Sequence, residues 1–233
     1  MKKEEQALTQ LDSDINYCAK QCFRDMADRD YIAARLCYKA QLMPQFFWQG
    51  LQATEKYIKC ALLLNRISSK RLGHDIRKGI DNLFQTVVLQ SISEESYSFA
   101  NLLYEFGVQR YLEGGYNSFS EQIICLDRLI AEIRRCCQET RPSNYEEARY
   151  VRLDNGILDS IIDDPENLAH QPLLWNNRFF GNERIDKIAL DRFVIAERSY
   201  LISRPDLIGE LNKYIKIPKH WIDEYERRAK SAE

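Results

Sequence analysis

A surplus of charge is missing from this sequence. Its 33 Lys and Arg are set against 35 Asp and Glu, a formal net charge of −2. No global basic field draws the chain to nucleic acid or to a membrane surface, so any such attraction has to come from a local patch. Long apolar runs are missing as well, and no stretch nears the ~20 residues that cross a bilayer. The opening residues, "MKKEEQALTQLDSD", are charged and lack the apolar centre of a secretory leader. Metal-ligand sets are missing too. Seven cysteines, an odd number, are spread mostly through apolar helical patterns, where cysteine acts as a small hydrophobe. Cys18 and Cys22 are four apart, as on one helix face, but no second pair and no nearby histidine completes a zinc set. A reducing, cytoplasmic protein with no metal, no cofactor and no membrane association is expected. Fixed-period repeats and low-complexity tracts are absent.

What is present has the balance of a globular protein. The chain is 45% hydrophobic and long enough, at 233 residues, to bury a core without disulfide staples. Its first 138 residues read as helices. In "LDSDINYCAKQCFRDMADRDYIAARLCYKAQL", Ala33, Leu36, Cys37 and Ala40 give an i, i+3, i+4, i+7 stripe, and Asp28 or Asp30 is placed to cap or break the run. Pro44 suits the first turn of a new helix, where its missing N–H is not needed. That helix, about 45 to 66, is apolar almost all round. Phe46, Ala53, Tyr57, Cys60 and Leu64 line one side, and Phe47, Leu51, Ile58, Ala61 and Leu62 another. Its polar strip is narrow: Gln49, Gln52, Lys56 and Lys59, with Glu55 beside it. A helix buried on most sides is the centre of a bundle.

Three more helices follow in "LGHDIRKGIDNLFQTVVLQ", "EESYSFANLLYEFGVQRYL" and "SFSEQIICLDRLIAEIRRCC", with "GGYN" breaking the chain before the last. Ser118 and Glu121 have capping-box spacing, and Phe119, Ile123, Leu126, Ile130, Ile133 and Cys137 form the stripe. Short connections predict antiparallel neighbours. Near residue 140 the composition shifts. Most of the six prolines lie beyond it, periodicity weakens, and "RPDLIGELNKYI" and "PKHWIDEYERRAK" read as short helices, each opened by a proline.

"QATEKYIKCALLLN", then "GHDI", then "RYLEGGYNSFSEQ" together resemble the HEPN domain (higher eukaryotes and prokaryotes nucleotide-binding). The family commonly shows a Q-x-x-E-K-x-x-K-A-like central helix, a T/G-H-D/S-L/I helix start and a later R-Y segment. The resemblance spans about residues 10 to 138. It implies an all-α, antiparallel up-and-down bundle over 1–138, often dimeric, with residues 139–233 a smaller helical or irregular extension packed on it. Some members are metal-independent ribonucleases, often toxins paired with a nucleotidyltransferase-like antitoxin. Others bind nucleotides or small polar ligands, or only mediate association. The ribonuclease members carry an arginine roughly four to six residues ahead of a histidine. Here His74 follows Arg71 after two intervening residues and Arg66 after seven, and neither His170 nor His220 has an arginine at that spacing.

The candidate site is the corner after the central helix. "RISSKRLGHDIRK" holds Arg66, Lys70, Arg71, Arg77 and Lys78 against one acid, Asp75. A helix N-terminus near Gly73 would add its dipole and free N–H groups, a setting for phosphate or an RNA backbone; a solvated loop is the competing reading. His74 is a general acid/base candidate or a helix-start residue bonded to backbone. Asp75 is simplest as a cap. Glu55 and Lys59 are an i, i+4 pair that, with Lys56, either decorates a surface or lines a cleft or dimer seam. Arg110 and Tyr116 flank "EGGY" and either reach a ligand or mark a helix end. "PLLWNNRFF" is an aromatic plug on the bundle or a grip for a partner. The acidic cluster Asp159, Asp163, Asp164 and Glu166 invites the idea that it masks the basic corner.

The expected function is binding or assembly rather than catalysis. Lys56, Lys59, Arg66, Lys70, Arg71, His74, Arg77, Arg110 and Tyr116 are the candidate ligand residues, for a nucleotide, an RNA or a protein partner such as a nucleotidyltransferase-like chain, in a homodimer. The alternatives are a metal-independent ribonuclease of a toxin or defence system, with His74 as its catalytic residue, and a purely structural interaction protein.

Overall fold

The computed structural model describes residues 10–86, 88–89, 91–108, 121–137, 156–164, 166–174, 177, 179, 205–220, 222–223 and 227. Among them every regular element is helical. In chain order these are α1 (Gln10–Ala19), a π-helical turn (Lys20–Arg24), α2 (Asp25–Lys39), α3 (Met43–Leu64), α4 (Ile76–Gln85), α5 (Glu94–Val108) and α6 (Gln122–Arg134), which ends in a 3₁₀ turn (Arg135–Cys137). After them come α7 (Ile157–Asp163), α8 (Gln171–Leu174) and α9 (Pro205–Tyr214). No helix is long and apolar enough to cross a membrane among the described residues.

α3 is the axis of the bundle. Pro44 stands in its first turn, as its fixed φ and missing N–H allow. Phe46, Phe47, Leu51, Ile58 and Leu62 are all buried, and α1, α2, α4, α5 and α6 pack around them. Neighbours come very close. A Cβ on Gly79 of α4 would lie 2.7 Å from Ile58 Cγ2, and one on Gly107 of α5 would lie 2.7 Å from Leu51 Cδ2. The stripe of α6 is as its spacing predicts, with Ile123, Leu126, Ile130, Ile133 and Cys137 buried. Phe119 and Ser118 lie outside the described residues. Glu121 does not take the capping-box role, since it is itself the N-cap and its side chain makes no cap bond.

α2 departs from its expected pattern. Neither Asp28 nor Asp30 breaks it, and its buried face is Ala27, Asp28, Tyr31, Ala34 and Arg35. Leu36 of the expected stripe is 41% exposed and Ala40 is exposed, while Ala33 and Cys37 are half-buried. The inward face carries ionic side chains that find partners, so hydrophobicity alone pointed to the wrong side of the helix. The π-helical turn has a similar effect upstream: its extra residue per turn changes the face count, leaving Cys18 buried and Cys22 exposed rather than side by side.

α9 opens at Pro205 as its sequence predicts, packs on α1, and sends Leu207 and Leu211 into the same core. Its C-terminal carbonyl, from Tyr214, accepts a hydrogen bond from Ser69 N at 2.9 Å, which ties the extension to the corner after α3.

Candidate functional site

The polar strip of α3 and the 65–75 turn meet at one place. α3 ends because Asn65 folds back, its Nδ2 donating to Ala61 O at 2.8 Å, and because Arg66 takes a left-handed φ of 57°. The turn is held by its own backbone, Leu72 N to Ser69 O and Asp75 N to Leu72 O. Gly73 also has φ 57°, the left-handed conformation that glycine adopts without penalty. Asp75 is the N-cap of α4, its carboxylate accepting from Lys78 N, as expected for an acid at that position. The helix starts at Ile76, just beyond the expected start near Gly73.

This reversal lays His74 back against α3. His74 Nδ1 lies 2.8 Å from Glu55 Oε2, and Lys59 Nζ pairs with Glu55 Oε1. The Glu55 side chain is 9% exposed and that of His74 is 62% exposed. A nearly buried carboxylate thus fixes an outward lysine and an outward imidazole whose second ring nitrogen is left for another group. Lys56, next on the strip, is turned instead to Asp30 of α2.

The basic corner does not act as one patch. Arg66 faces α1: its Nη1 donates to Asn16 Oδ1 at 2.8 Å and to Leu63 O at 3.1 Å, and its Nη2 to Asp12 O and Oδ1, both at 3.0 Å. It clamps the carbonyl end of α3 to α1, where a cation suits the helix dipole. Arg77 pairs with Asp75 at 3.1 Å and lies over the Tyr104 ring at 3.9 Å from its centroid. Lys78 also reaches Asp75, at 3.7 Å. The side chains of Lys70 and Arg71 are exposed on the turn. Of the sequence-derived ligand residues, then, the structure joins Lys59 and His74 through Glu55, leaves Lys70 and Arg71 exposed on the turn, and commits Arg66, Arg77 and Lys56 to pairing. Arg110 and Tyr116 lie outside the described residues. Among the described residues, no group of three or more His, Cys, Asp or Glu is placed to hold a metal ion.

Two buried networks escaped the sequence reading. Asp28 is fully buried and accepts from Tyr57 Oη, from Arg134 Nε at 2.9 Å and from Arg134 Nη2 at 3.2 Å. Burial pushes its carboxyl up, but the Arg134 charge and the bonds from Arg134 and Tyr57 outweigh that and hold it below the ordinary aspartate value. Asp127 accepts from Tyr31 Oη at 2.6 Å and pairs with Arg35, yet there burial dominates and its carboxyl is raised. The readable signal was the α6 stripe itself, because Asp127 and Arg134 continue its i, i+3, i+4 spacing among Ile130 and Cys137. One member of the acidic cluster is likewise reassigned. Asp159 pairs with Arg134 at 2.8 Å rather than with the basic corner. The described part of "PLLWNNRFF" seats on the bundle, with Arg35 Nε donating to Leu173 O at 2.9 Å and Asn177 Nδ2 to Tyr31 Oη at 2.7 Å.

Compared with protein-family models, with curated proteins and with solved structures, the chain matches none.

Proposed function

We propose that the chain is a binding module with an HEPN-like antiparallel up-and-down bundle, and that it takes a phosphate-bearing ligand, a nucleotide or RNA, at the corner of α3 and the 65–75 turn. One observation carries this reading: buried Glu55 holds Lys59 and His74 together at the edge of a helix that is mostly core. Lys59 offsets the carboxylate, His74 turns its second ring nitrogen outward, and Lys70 and Arg71 are exposed on the same turn. Charge-assisted hydrogen bonds from such donors are the strong kind that phosphate recognition uses. The family resemblance adds two further proposals, a homodimer and a nucleotidyltransferase-like protein partner. Light scattering of the purified chain tests the first.

The test is calorimetric titration with ATP and with a short single-stranded RNA, in chelator. Binding without turnover is expected, weakening with salt. His74→Ala and Lys59→Ala should each weaken it by about tenfold or more, since a hydrogen bond to a charged group contributes about 1.5–3 kcal/mol. Equal affinity in wild type and both variants, or no binding to either ligand, would overturn the assignment.

A second reading is a metal-independent ribonuclease. The Glu55–His74 pair favours it, because a carboxylate on one ring nitrogen orients the other as a base. Engagement of Arg66 on α1 counts against it. RNA cleavage in chelator that disappears in His74→Ala would select this reading.

A further inference from the structure

The segment from Gly156 to Asn177 is attached to the bundle in a different way from the helices α1–α6. α7 contributes Leu158 to the common core. Ile161 is buried as well and Ile162 packs against the core, while the remaining attachments are polar. Leu158 N donates to Asp28 Oδ2 at 3.3 Å, Asp159 pairs with Arg134 at 2.8 Å, Arg35 donates to Leu173 O, and Asn177 donates to Tyr31 Oη. Gly156 N donates to Asp159 Oδ2 at 2.8 Å, so the carboxylate that meets Arg134 also closes the first turn of α7.

The floor beneath the segment is paired without it. Asp28 keeps Arg134 and Tyr57, and Asp127 keeps Arg35 and Tyr31. If the segment lifts, these charges keep their bundle partners, and no buried ion is orphaned. Removing one member of a buried pair is costly because it strands the other charge, and that cost is absent here. The polar groups the segment gives up, one backbone amide, a carbonyl, a carboxylate and an amide side chain, can all be satisfied by water, which leaves the apolar contacts of Leu158, Ile161 and Ile162 as the main loss on opening. An element that adds the apolar side chains of one short helix and otherwise rests on a self-satisfied polar floor has a lower opening free energy than one that forms the core.

We propose that residues 156–177 are a releasable strap over α2 and α6, able to leave while α1–α6 stay folded, so that an Arg- and Asp-lined face is covered in one state and open in the other. Gly156 is its key. A Cβ there would lie 2.4 Å from Asp28 Oδ2 and 3.1 Å from Asp25 Oδ1, so only glycine lets the strap close.

Hydrogen exchange followed by mass spectrometry on the full chain tests this. In the wild type, peptides covering α7 and α8 should exchange at least tenfold faster than peptides covering α3. Gly156→Ala and Asp159→Asn should each raise α7 and α8 exchange by a further several-fold and leave α3 exchange unchanged. If α7, α8 and α3 exchange together in the wild type, the strap opens only with the whole fold and the proposal fails. It fails equally if Gly156→Ala loosens α3 in step with α7.

Discussion

Asp28 lies in the first turn of α2 with none of its surface exposed, and its ionisation is useful only while Arg134 and Tyr57 stay in place. Replacing it with Asn removes the bidentate partner of Arg134, which then keeps Asp159 alone, so the loss should fall below the cost of a fully stranded buried charge, about 3–5 kcal/mol. The pH dependence has a definite sign. The folded-state value of Asp28 is depressed, so its contribution is fully present above the unfolded value of about 3.9 and is lost as pH falls through the folded one. Urea midpoints measured from pH 7 to pH 3 should therefore show Asp28→Asn less stable than wild type at neutral pH, with the gap narrowing only below about pH 4. A constant gap would mean that the loss is one of packing, not of charge. Glu55 and His74 give the residue-scale lesson about legibility. Their residue types and order were readable in the sequence, but their pairing depends on a chain reversal through the left-handed Arg66 and Gly73. Side-chain spacing along a helix carries no information about that reversal.

Among the elements, α3 was legible because an all-round apolar helix of this length has a single stable place, at the centre of other helices. α2 was misread for a physical reason. Its inward face includes Asp28 and Arg35, which count as polar in any periodicity but are buried because α6 supplies Arg134 and Asp127 as partners. Long-range pairing of this kind is invisible from within one helix. Close approach to α3 makes a separate claim testable. At Gly79 a methyl group would sit 2.7 Å from Ile58 Cγ2, inside any normal contact. Helix propensity alone would reward Gly79→Ala by up to about 1 kcal/mol, while overpacking a well-filled contact costs about 1–3 kcal/mol. The variant is expected to be less stable than wild type by chemical denaturation, and because Ile58→Ala removes the Cγ2 methyl, Gly79→Ala combined with Ile58→Ala should cost less than the sum of the two single substitutions. If the single substitution stabilises the chain, α4 has room to move away and the contact is not rigid.

At the scale of the whole molecule, the composition shift near residue 140 suggested two parts, and the described residues beyond it join the bundle in two different ways. The 156–177 segment places Leu158 in the core but otherwise meets the buried ionic pairs of α2 and α6, whereas α9 places Leu207 and Leu211, at 0% and 2% exposure, into the same core as α3. The apolar pattern of "RPDLIGELNKYI" made α9 readable as a helix, but nothing in it specified α1 and the Ser69 turn as its seat. This difference in attachment predicts a difference in cooperativity. Truncating a buried leucine costs about 2–5 kcal/mol, and in a domain of this size each kcal/mol shifts the melting temperature by about 2–4 °C. Leu211→Ala should therefore lower a single calorimetric transition by several degrees without splitting it, because α9 and the bundle melt as one unit. Because Tyr214 at the end of α9 holds Ser69, four residues before Gly73, the same substitution should also loosen the turn that carries His74. Hydrogen exchange of the 66–75 peptide reads that effect, and it should rise in Leu211→Ala at temperatures well below melting. A second, separate transition, or a 66–75 turn indifferent to Leu211, would show that α9 melts independently and that the corner after α3 is held by α1 and α3 alone.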